Sequence, residues 1–379
     1  PTLGGVGLYA GFSFGFLIAV NGYMLGVNYF FLATLLLFLA GMKDDLITLD
    51  PKKKLMAEII AALLLLYFTD IRITNFHGFL GIQAIPAWLT YITTVFIMIV
   101  IINAVNLIDG IDGLAASTGI ISSAALGFWF WFSGETGYAI MDAALIGTLA
   151  GFMRFNLSSG ANKIFMGDTG SLLTGFIIAA MTIMFNEVNA GSATYHDLYS
   201  APAISIAILI VPLYDTLRVF TIRIAHHQHP FTADNRHIHH MMLRAGFTHK
   251  KADVIIAAAH ISIIAMAFAL DHIGILWLSL VLLLTCLLLT GLIYLRIYNR
   301  FLLHRVPVGE EDFQTIRTIA ILHAHISGRK IRMPEFVPKY NLFNQPGLGD
   351  KEVISEIHPK GISINLPVED KKETESSAS

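Results

Sequence analysis

The chain has 379 residues, of which 55% are hydrophobic and only 14% are charged, and its formal net charge is −2. Soluble domains carry about a quarter charged residues, so this composition excludes an ordinary soluble protein and predicts an integral membrane protein. The single cysteine, Cys286, excludes disulfides within the chain and metal clusters built from cysteines.

Long apolar segments recur along the first 300 residues. A helix that crosses the hydrocarbon core needs about 20 largely apolar residues. We therefore predict an all-α polytopic membrane protein with ten transmembrane helices, at 6–22, 27–41, 55–69, 88–105, 117–133, 138–154, 170–185, 200–217, 253–270 and 273–296. Between 70 and 87 the sequence alternates around turn residues, which predicts a short hairpin outside the bilayer.

The connections between these segments differ sharply in positive charge. One set is rich in Lys and Arg, whereas the opposite set contains only Arg72. The positive-inside rule places the first set in the cytoplasm. We divide the chain into a transmembrane catalytic domain over 1–300 and a polar cytoplasmic tail over 301–379. The tail is expected to be partly disordered, with a short amphipathic helix near 311–326.

Acidic and amide side chains cluster where predicted spans end on the Lys-rich side. Neighbouring helical positions differ by about 100°, so Asp44 and Asp45 are expected to point in different directions. A spacing of three predicts that Asn106, Asp109 and Asp112 line one face of a helix end. Helix capping explains any one of these aspartates, but not five of them in three loops. The complete set is Asp44, Asp45, Asn103, Asn106, Asp109, Asp112 and Asp168.

Two chemical interpretations of these motifs follow. Carboxylates at the hydrocarbon boundary are costly unless they are paired or functional, and hard oxygen ligands without cysteine suit Mg²⁺. The stretch 167–171 supplies small residues before a span, where a helix N-terminus binds anions. Alone, this stretch is also ordinary N-capping. Phe165 offers a face on which a base could stack, although interfacial packing alone would explain it.

The loop before the ninth predicted span is rich in histidine and arginine. A zinc site formed by His237 with His240 or His239 is one interpretation. No cysteine or nearby glutamate completes such a set, and the arginines would repel a cation. Phosphate recognition fits Arg and His better. The loop contains His226, His227, His229, His237, His239, His240 and His249, with Arg223, Arg236 and Arg244.

Together these motifs resemble the polyprenyl-phosphate N-acetylhexosamine-1-phosphate transferase family, glycosyltransferase family 4. The resemblance runs from Pro1 to about Phe247 and covers Asp44-Asp45, the stretch 103–113, Asp168 and the stretch 237–240. The histidine stretch is similar to the bacterial undecaprenyl-phosphate N-acetylglucosamine-1-phosphate transferase branch. The muramoyl-pentapeptide branch has three consecutive histidines and an acidic residue instead. Residues 1–5 resemble a motif that follows an initial span, so an eleventh helix is expected upstream.

The resemblance implies transfer of a sugar-1-phosphate from a UDP-sugar to polyprenyl phosphate, with release of UMP, to initiate a cell-envelope polysaccharide such as a lipopolysaccharide or O-antigen. It implies that Mg²⁺, with Mn²⁺ as a substitute, is held by Asp168, Asp44 and Asp45. The implied catalytic residues are Asp44, Asp45, Asp109, Asp112 and His237. The implied substrate-binding residues include Asn103, and the resemblance implies that Asn106, Asp109 and Phe165 hold the uridine. It implies that the sugar phosphate is held by Arg223, Arg236, His237, His239 and His240.

Two alternatives stay open. The same reaction could use another UDP-N-acetyl sugar or UDP-N-acetylmuramoyl-pentapeptide. A transporter is more distant, because its pathway needs ionisable residues in mid-span, and apart from His260 the span centres are almost free of charge. The expected partners are the two substrates and the lipid bilayer, without nucleic acid. Both a monomer and a homodimer are compatible with the sequence.

Overall fold

The computed structural model describes residues 4–20, 26–69, 71–79, 81–160, 162–191, 198–225, 227, 236–304 and 316–322. These residues are mostly helical. The elements are α1 Gly4–Val20, α2 Val27–Ile47, α3 Pro51–Phe68, β1 Asn75–Phe79, β2 Ile82–Ala84, α4 Ala87–Leu107, α5 Leu114–Phe132, α6 Thr136–Asn156, α7 Gly167–Gly191, α8 Ala201–Ile208, α9 Ile210–Ala225, α10 Ile238–Arg244, α11 His249–Ala269 and α12 Ile275–His304, with a 3-10 turn at Asp271–Ile273.

Several helices have the length and composition of membrane spans. In the described part of the chain, six helices are long and apolar enough to cross a bilayer, or seven if α8 and α9 form one span. The protein is therefore a multi-pass membrane protein. The predicted count of ten spans is not confirmed, although α1, α2 and α3 lie where three further spans were predicted; α1 has only 17 residues.

The predicted span 200–217 is wrong as a single helix, because it breaks at Leu209. α8 and α9 meet there at 81°. Pro212 has no N–H, so it cannot bond the carbonyl of Ile208 four residues earlier. That carbonyl instead accepts hydrogen bonds from Ser122 Oγ at 2.7 Å and His260 Nε2 at 2.8 Å. His260, the isolated mid-span histidine of the sequence, therefore satisfies the broken backbone.

The predicted short hairpin is confirmed. β1 and β2 pair antiparallel, and Gly81 has a φ of 80°, a left-handed conformation that favours glycine. The hairpin is fixed to the end of α7, because the backbone N–H of Thr74 donates to Glu187 Oε1 at 2.7 Å.

α7 is the central helix of the bundle. It packs against α1, α2, α4, α5 and α8, and its side chains are almost all buried along the apolar part. A helix that is apolar on all sides requires such surroundings. The N-terminus of α7 consequently lies among the ends of α2 and α4, where the acidic motifs are.

The chain divides into two compact units, Pro1–Leu289 and Thr290–Ser379. In the second unit, residues 316–322 are helical, within the segment where an amphipathic helix was predicted. Residues 305–315 and 323–379 lie outside the described residues, so the predicted disorder and the domain division at residue 300 stay predictions.

Candidate active site

Three of the four polar motifs meet around the first turn of α7. Asp45, at the C-terminal end of α2, accepts hydrogen bonds from the backbone N–H of Asp168 at 2.8 Å and of Thr169 at 3.1 Å, and from Thr169 Oγ1 at 2.5 Å. Asn106, near the end of α4, donates to Asp168 Oδ1 and to Ser171 Oγ, both at 2.7 Å. The clustering predicted from the sequence is therefore present in the fold.

The expected anion site at the start of α7 is already filled by a protein carboxylate. The N–H groups of Asp168 and Thr169 point at Asp45, which acts as a helix cap supplied by another helix. In this structure these N–H groups therefore bind Asp45, and their binding of a substrate phosphate stays a prediction. Asp44 and Asp45 do point in different directions, as their adjacency on α2 predicted, since Asp44 Oδ1 accepts from the Leu49 N–H at 2.6 Å.

Asp168 and Asp44 share a cation. Lys54, in the first turn of α3, donates from Nζ to Asp168 Oδ1, and the same Nζ lies 3.3 Å from Asp44 Oδ2. Asp168 keeps a third of its side chain exposed, whereas that of Asp44 is 11% exposed. Two carboxylates from different helices thus converge on one positive charge at an accessible position.

Asp109 and Asp112 do not extend a helix, so the predicted helical face is wrong for them. α4 ends at Leu107, and the turn that follows is closed by the Gly110 N–H to the Ile108 carbonyl at 2.8 Å. Gly113, with a φ of 88°, then begins α5. The left-handed glycine separates the two helices and leaves both aspartates in a turn.

The environment of Asp109 is strongly acidic. Burial, followed by the negative charges of Asp168, Asp45 and Asp112, raises the pKa of its carboxyl to about 7. A carboxyl crowded by like charges at neutral pH is a mark of functional sites. A cation that entered this cluster would therefore lower the pKa of Asp109.

Asp112 and Phe165 are joined through Lys163. The Nζ atom of Lys163 lies 2.5 Å from Asp112 Oδ2 and 5.1 Å above the centre of the Phe165 ring. The loop is held in place by Asn156, which accepts from the Gly113 N–H at 2.7 Å and donates to the Ile164 carbonyl at 2.9 Å. One face of Phe165 is therefore covered by a cation, and the ring is still 46% exposed.

Asn103 lies apart from this group. Its Nδ2 donates to Glu58 Oε2 at 2.5 Å and to the Ile99 carbonyl at 2.9 Å. Glu58 is on α3, one turn beyond Lys54, and is 1% exposed. Glu58 Oε1 has no hydrogen-bond partner within the described residues. Asn103 is thereby occupied with orienting a buried carboxyl.

The histidine motif reaches the same turn from the other side. His237 Nδ1 bonds Asp215 Oδ2 on α9 at 2.9 Å. The His239 ring packs on Gly110, leaving no room for a Cβ there, and stacks on His237 with centroids 5.8 Å apart. Burial, followed by the positive charge of His240, lowers the pKa of His239 to about 3. His239 is consequently a neutral ring.

Two arginines of α9, Arg218 and Arg223, lie in the same part of the chain as Asp215. Arg218 Nη2 contacts Asp215 Oδ1 at 3.3 Å and donates to the backbone carbonyl of Arg236. Arg223, on α9, is buried. Within the described residues no three His, Cys, Asp or Glu side chains are grouped to hold a metal, and the zinc interpretation of the histidines has no support. His226 and residues 228–235 lie outside the described residues.

Sequence reasoning missed four residues of this region. Asp215 had the clearest signal, because it is an acidic residue inside a predicted span. Lys54 and Lys163 belong to the Lys- and Arg-rich connections, whose charge indicated only the orientation of the chain. Glu58 stands near the start of a predicted span and carries the same signal as Asp215. Glu58, Lys54 and Lys163 bond partners that are 45 or more residues away in the chain. No local sequence pattern reveals such partners.

Known proteins resemble this chain over most of its length. The family model Glycosyl transferase family 4 matches residues 27–186, which contain Asp44, Asp45, Asn106, Asp109 and Asp168. An undecaprenyl-phosphate alpha-N-acetylglucosaminyl 1-phosphate transferase of Escherichia coli O157:H7 is 30% identical over 296 residues, covering 77% of this chain and 78% of the relative. A protein of Haemophilus influenzae with the same name is 31% identical over 261 residues, covering 68% and 71%.

Proposed function

Since this chain belongs to glycosyl transferase family 4, the polyprenyl-phosphate N-acetylhexosamine-1-phosphate transferases, we propose that it transfers N-acetylglucosamine-1-phosphate from UDP-N-acetylglucosamine to undecaprenyl phosphate. The protein is a membrane phosphoglycosyltransferase. The observation that carries the proposal is the convergence of Asp44, Lys54 and Asn106 on Asp168 at one end of the bundle. The names of the relatives support N-acetylglucosamine as the sugar.

The reaction joins two anions, so charge neutralisation and alignment supply most of the catalysis. A phosphate oxygen of the lipid forms a bond to the sugar-bearing phosphorus of the UDP-sugar. The bond from that phosphorus to the bridging oxygen breaks, and UMP leaves with the electron pair. The second pKa of a phosphate monoester is near 6, so the lipid phosphate needs little help from a general base. Asp44 would therefore orient the lipid phosphate rather than remove a proton.

The donor set fits Mg²⁺. Mg²⁺ binds through one or two carboxylates together with substrate phosphates, and Asp168 and Asp44 are two carboxylates that already converge on the ammonium of Lys54. The positive charge of Lys54 marks the place as one that favours a cation. When bound, Mg²⁺, or Mn²⁺ in its place, would neutralise the diphosphate. Asp45 would contribute by holding the first turn of α7, and with it Asp168.

The remaining residues would recognise the nucleotide and the sugar phosphate. Asn106 holds Asp168 and lies beside the turn of Asp109, and Phe165 offers its uncovered face to the uracil ring. Asp112 acts through Lys163, which it keeps over Phe165. Asn103 would act through its bond to Glu58 on the neighbouring helix, which carries Lys54.

The sugar-phosphate end would be held by the histidine motif. His237, His239 and His240 lie at the start of α10, with His239 against the Asp109–Gly110 turn. Arg223, on α9, and Arg236, directly before His237, would supply positive charge. Because all these groups lie on the Lys- and Arg-rich side, we place the site on the cytoplasmic face of the bacterial inner membrane.

The test is lipid-dependent UMP release by the purified protein. The full chain in detergent is incubated with Mg²⁺, undecaprenyl phosphate and UDP-N-acetylglucosamine, with and without EDTA. We expect UMP only when lipid and divalent cation are both present. Release with a different UDP-N-acetyl sugar or with UDP-N-acetylmuramoyl-pentapeptide would correct the substrate, whereas no release with any UDP-sugar from a folded protein would refute the proposal and favour a transporter.

A further inference from the structure

We infer that Asp215 is a positioning residue that holds His237 in one orientation with the hydrogen on Nδ1, so that the lone pair of Nε2 is directed into the site as an acceptor. The inference rests on the proposed function for the role of Nε2. The pairing itself is a property of the described structure, and it concerns a residue of α9 that lies outside the four polar motifs.

The hydrogen bond between the two side chains fixes the tautomer. His237 Nδ1 lies 2.9 Å from Asp215 Oδ2. Asp215 is 2% exposed, and its other oxygen accepts the Ile238 N–H at 2.8 Å and contacts the guanidinium of Arg218 at 3.3 Å. A carboxylate beside a permanent positive charge is an acceptor only. Nδ1 of His237 must therefore carry the hydrogen, and Nε2 is the nitrogen left for a ligand.

The backbone around His237 is fixed by the same two residues of α9. The N–H of Ile238 is held by Asp215, and the carbonyl of Arg236 accepts from Arg218 Nη2. Asp215 and Arg218 are separated by one helical turn, so they bind the chain on both sides of His237 at once. The side chain and the main chain of His237 are thus oriented by a single face of α9.

The ring of His237 is also restrained on its flat side. The His239 ring is parallel to it within 3°, with centroids 5.8 Å apart, and the His239 ring also lies against Gly110. Neither nitrogen of His239 has a hydrogen-bond partner in the described part of the chain, so His239 acts here by shape. The contacts of the His239 ring with His237 and with Gly110 place the Asp215–His237 pair near the Asp109 turn.

The broken helix gives the pair its position. α9 packs against α4, which carries Asn106, and it runs at 81° to α8 because of the break at Leu209. The same helix therefore contacts the wall of the acidic cluster and holds His237. This geometry explains why a buried aspartate stands in a segment that is otherwise apolar.

The experiment compares Asp215→Asn with a matched control, Asp142→Asn, in the full-length protein. Both aspartates are buried, but Asp142 is on α6, 14 residues before Asn156 and about 20 Å from it along the helix. In Asp215→Asn the amide oxygen still accepts the Ile238 N–H, but the amide nitrogen faces Nδ1 and moves the hydrogen to Nε2. A general acid or base contributes about 10²–10⁴-fold, so we expect kcat to fall about 100-fold.

Two further readouts separate positioning from a merely structural role. KM for the UDP-sugar should change by less than about threefold, and the double variant Asp215→Asn/His237→Ala should be no slower than His237→Ala alone, because residues that act as a unit are not additive. Multiplicative losses in the double variant, or wild-type kcat in Asp215→Asn, would overturn the inference. Equal losses in Asp142→Asn would do so as well.

Nitrogen NMR on ¹⁵N-histidine-labelled wild-type protein tests the tautomer directly and does not depend on the folding of any Asp215 variant. The His237 signals are those lost in His237→Gln. A protonated Nδ1 supports the inference, and an unprotonated Nδ1 overturns it. If Nδ1 is protonated but the wild-type protein releases no UMP with any UDP-sugar, the pair stands and the proposed function fails.

Discussion

α7 carries a polar network at each end, and the two networks differ in their balance of charge. At the C-terminal end, Glu187 accepts the N–H of Thr74 at 2.7 Å and its hydroxyl at 2.6 Å. His77 Nε2 donates to the Asn186 carbonyl at 3.0 Å. Here both carboxylate oxygens of Glu187 have a neutral donor, so this network fixes the hairpin to the helix.

At the N-terminal end the carboxylates exceed the positive charges available to them. Asp44 and Asp168 share Lys54, and the neighbouring Asp109 has its pKa raised to about 7 by burial and by surrounding acids. Such crowding destabilises the fold unless a cation or substrate relieves it. Both ends of α7 have polar groups. An excess of negative charge is found only at the N-terminal end, and this excess distinguishes the candidate site from the network that attaches the hairpin.

The largest expected effect is on activity, and it is tested by replacing one carboxylate at each end of α7, Asp168 and Glu187. Asp168→Asn should lower UMP release by at least about 10³-fold, because transition-state charge loses its principal partner, while the melting temperature stays near that of the wild type. Glu187→Gln should do the reverse, with near-normal activity and a lower melting temperature, since one of two accepted bonds is lost. Inactive Glu187→Gln or active Asp168→Asn would remove the contrast.

The second prediction concerns Asp45 as the cap of α7. Asp45→Asn keeps one acceptor oxygen where three donors are now bound. We expect a loss of about 1 kcal/mol in stability and about a 30-fold loss of activity through displacement of Asp168. Asp50→Asn is the control, because Asp50 caps α3 with a single bond to the Lys52 N–H at 2.8 Å. Equal effects in the two variants would contradict a special role for Asp45.

The third prediction uses the contact of Gly110 with His239. A Cβ at Gly110 would overlap the His239 ring, which is buried and has little room to move. Gly110→Ala should therefore lower activity about tenfold and stability by about 1–3 kcal/mol. Gly147→Ala on α6 meets nothing within 4 Å and should leave both unchanged or slightly raise stability. Kinetics and thermal unfolding of both variants provide the check.

The smallest effect is a shift of stability with pH. The folded state holds the Asp109 proton up to about pH 7, whereas the unfolded chain releases it near pH 4, so this group lowers stability as pH rises from 4 to 7. Asp109→Asn cannot ionise. In EDTA at pH 8 its melting temperature should exceed that of the wild type by a few degrees, about the shift that a stability change of about 1 kcal/mol produces. At pH 4 the two proteins should melt together.

The sequence by itself determined the class of the protein, the hairpin and the grouping of its acidic motifs. These three features depend on properties of short segments: the length of an apolar run, the presence of turn residues, and the free-energy cost of a charge near hydrocarbon. The directions of Asp44 and Asp45 also followed from helical geometry alone.

Only the tertiary structure decided what each polar group does. The left-handed Gly113 that precedes α5 is a local feature, but the carbonyl freed at the break near Leu209 is satisfied by Ser122 and His260 from two other helices. The carboxylate of Asp45 is engaged by residues more than 120 positions later in the chain. A hydrogen bond requires contact within about 3 Å, and sequence spacing does not specify such contacts between separate helices.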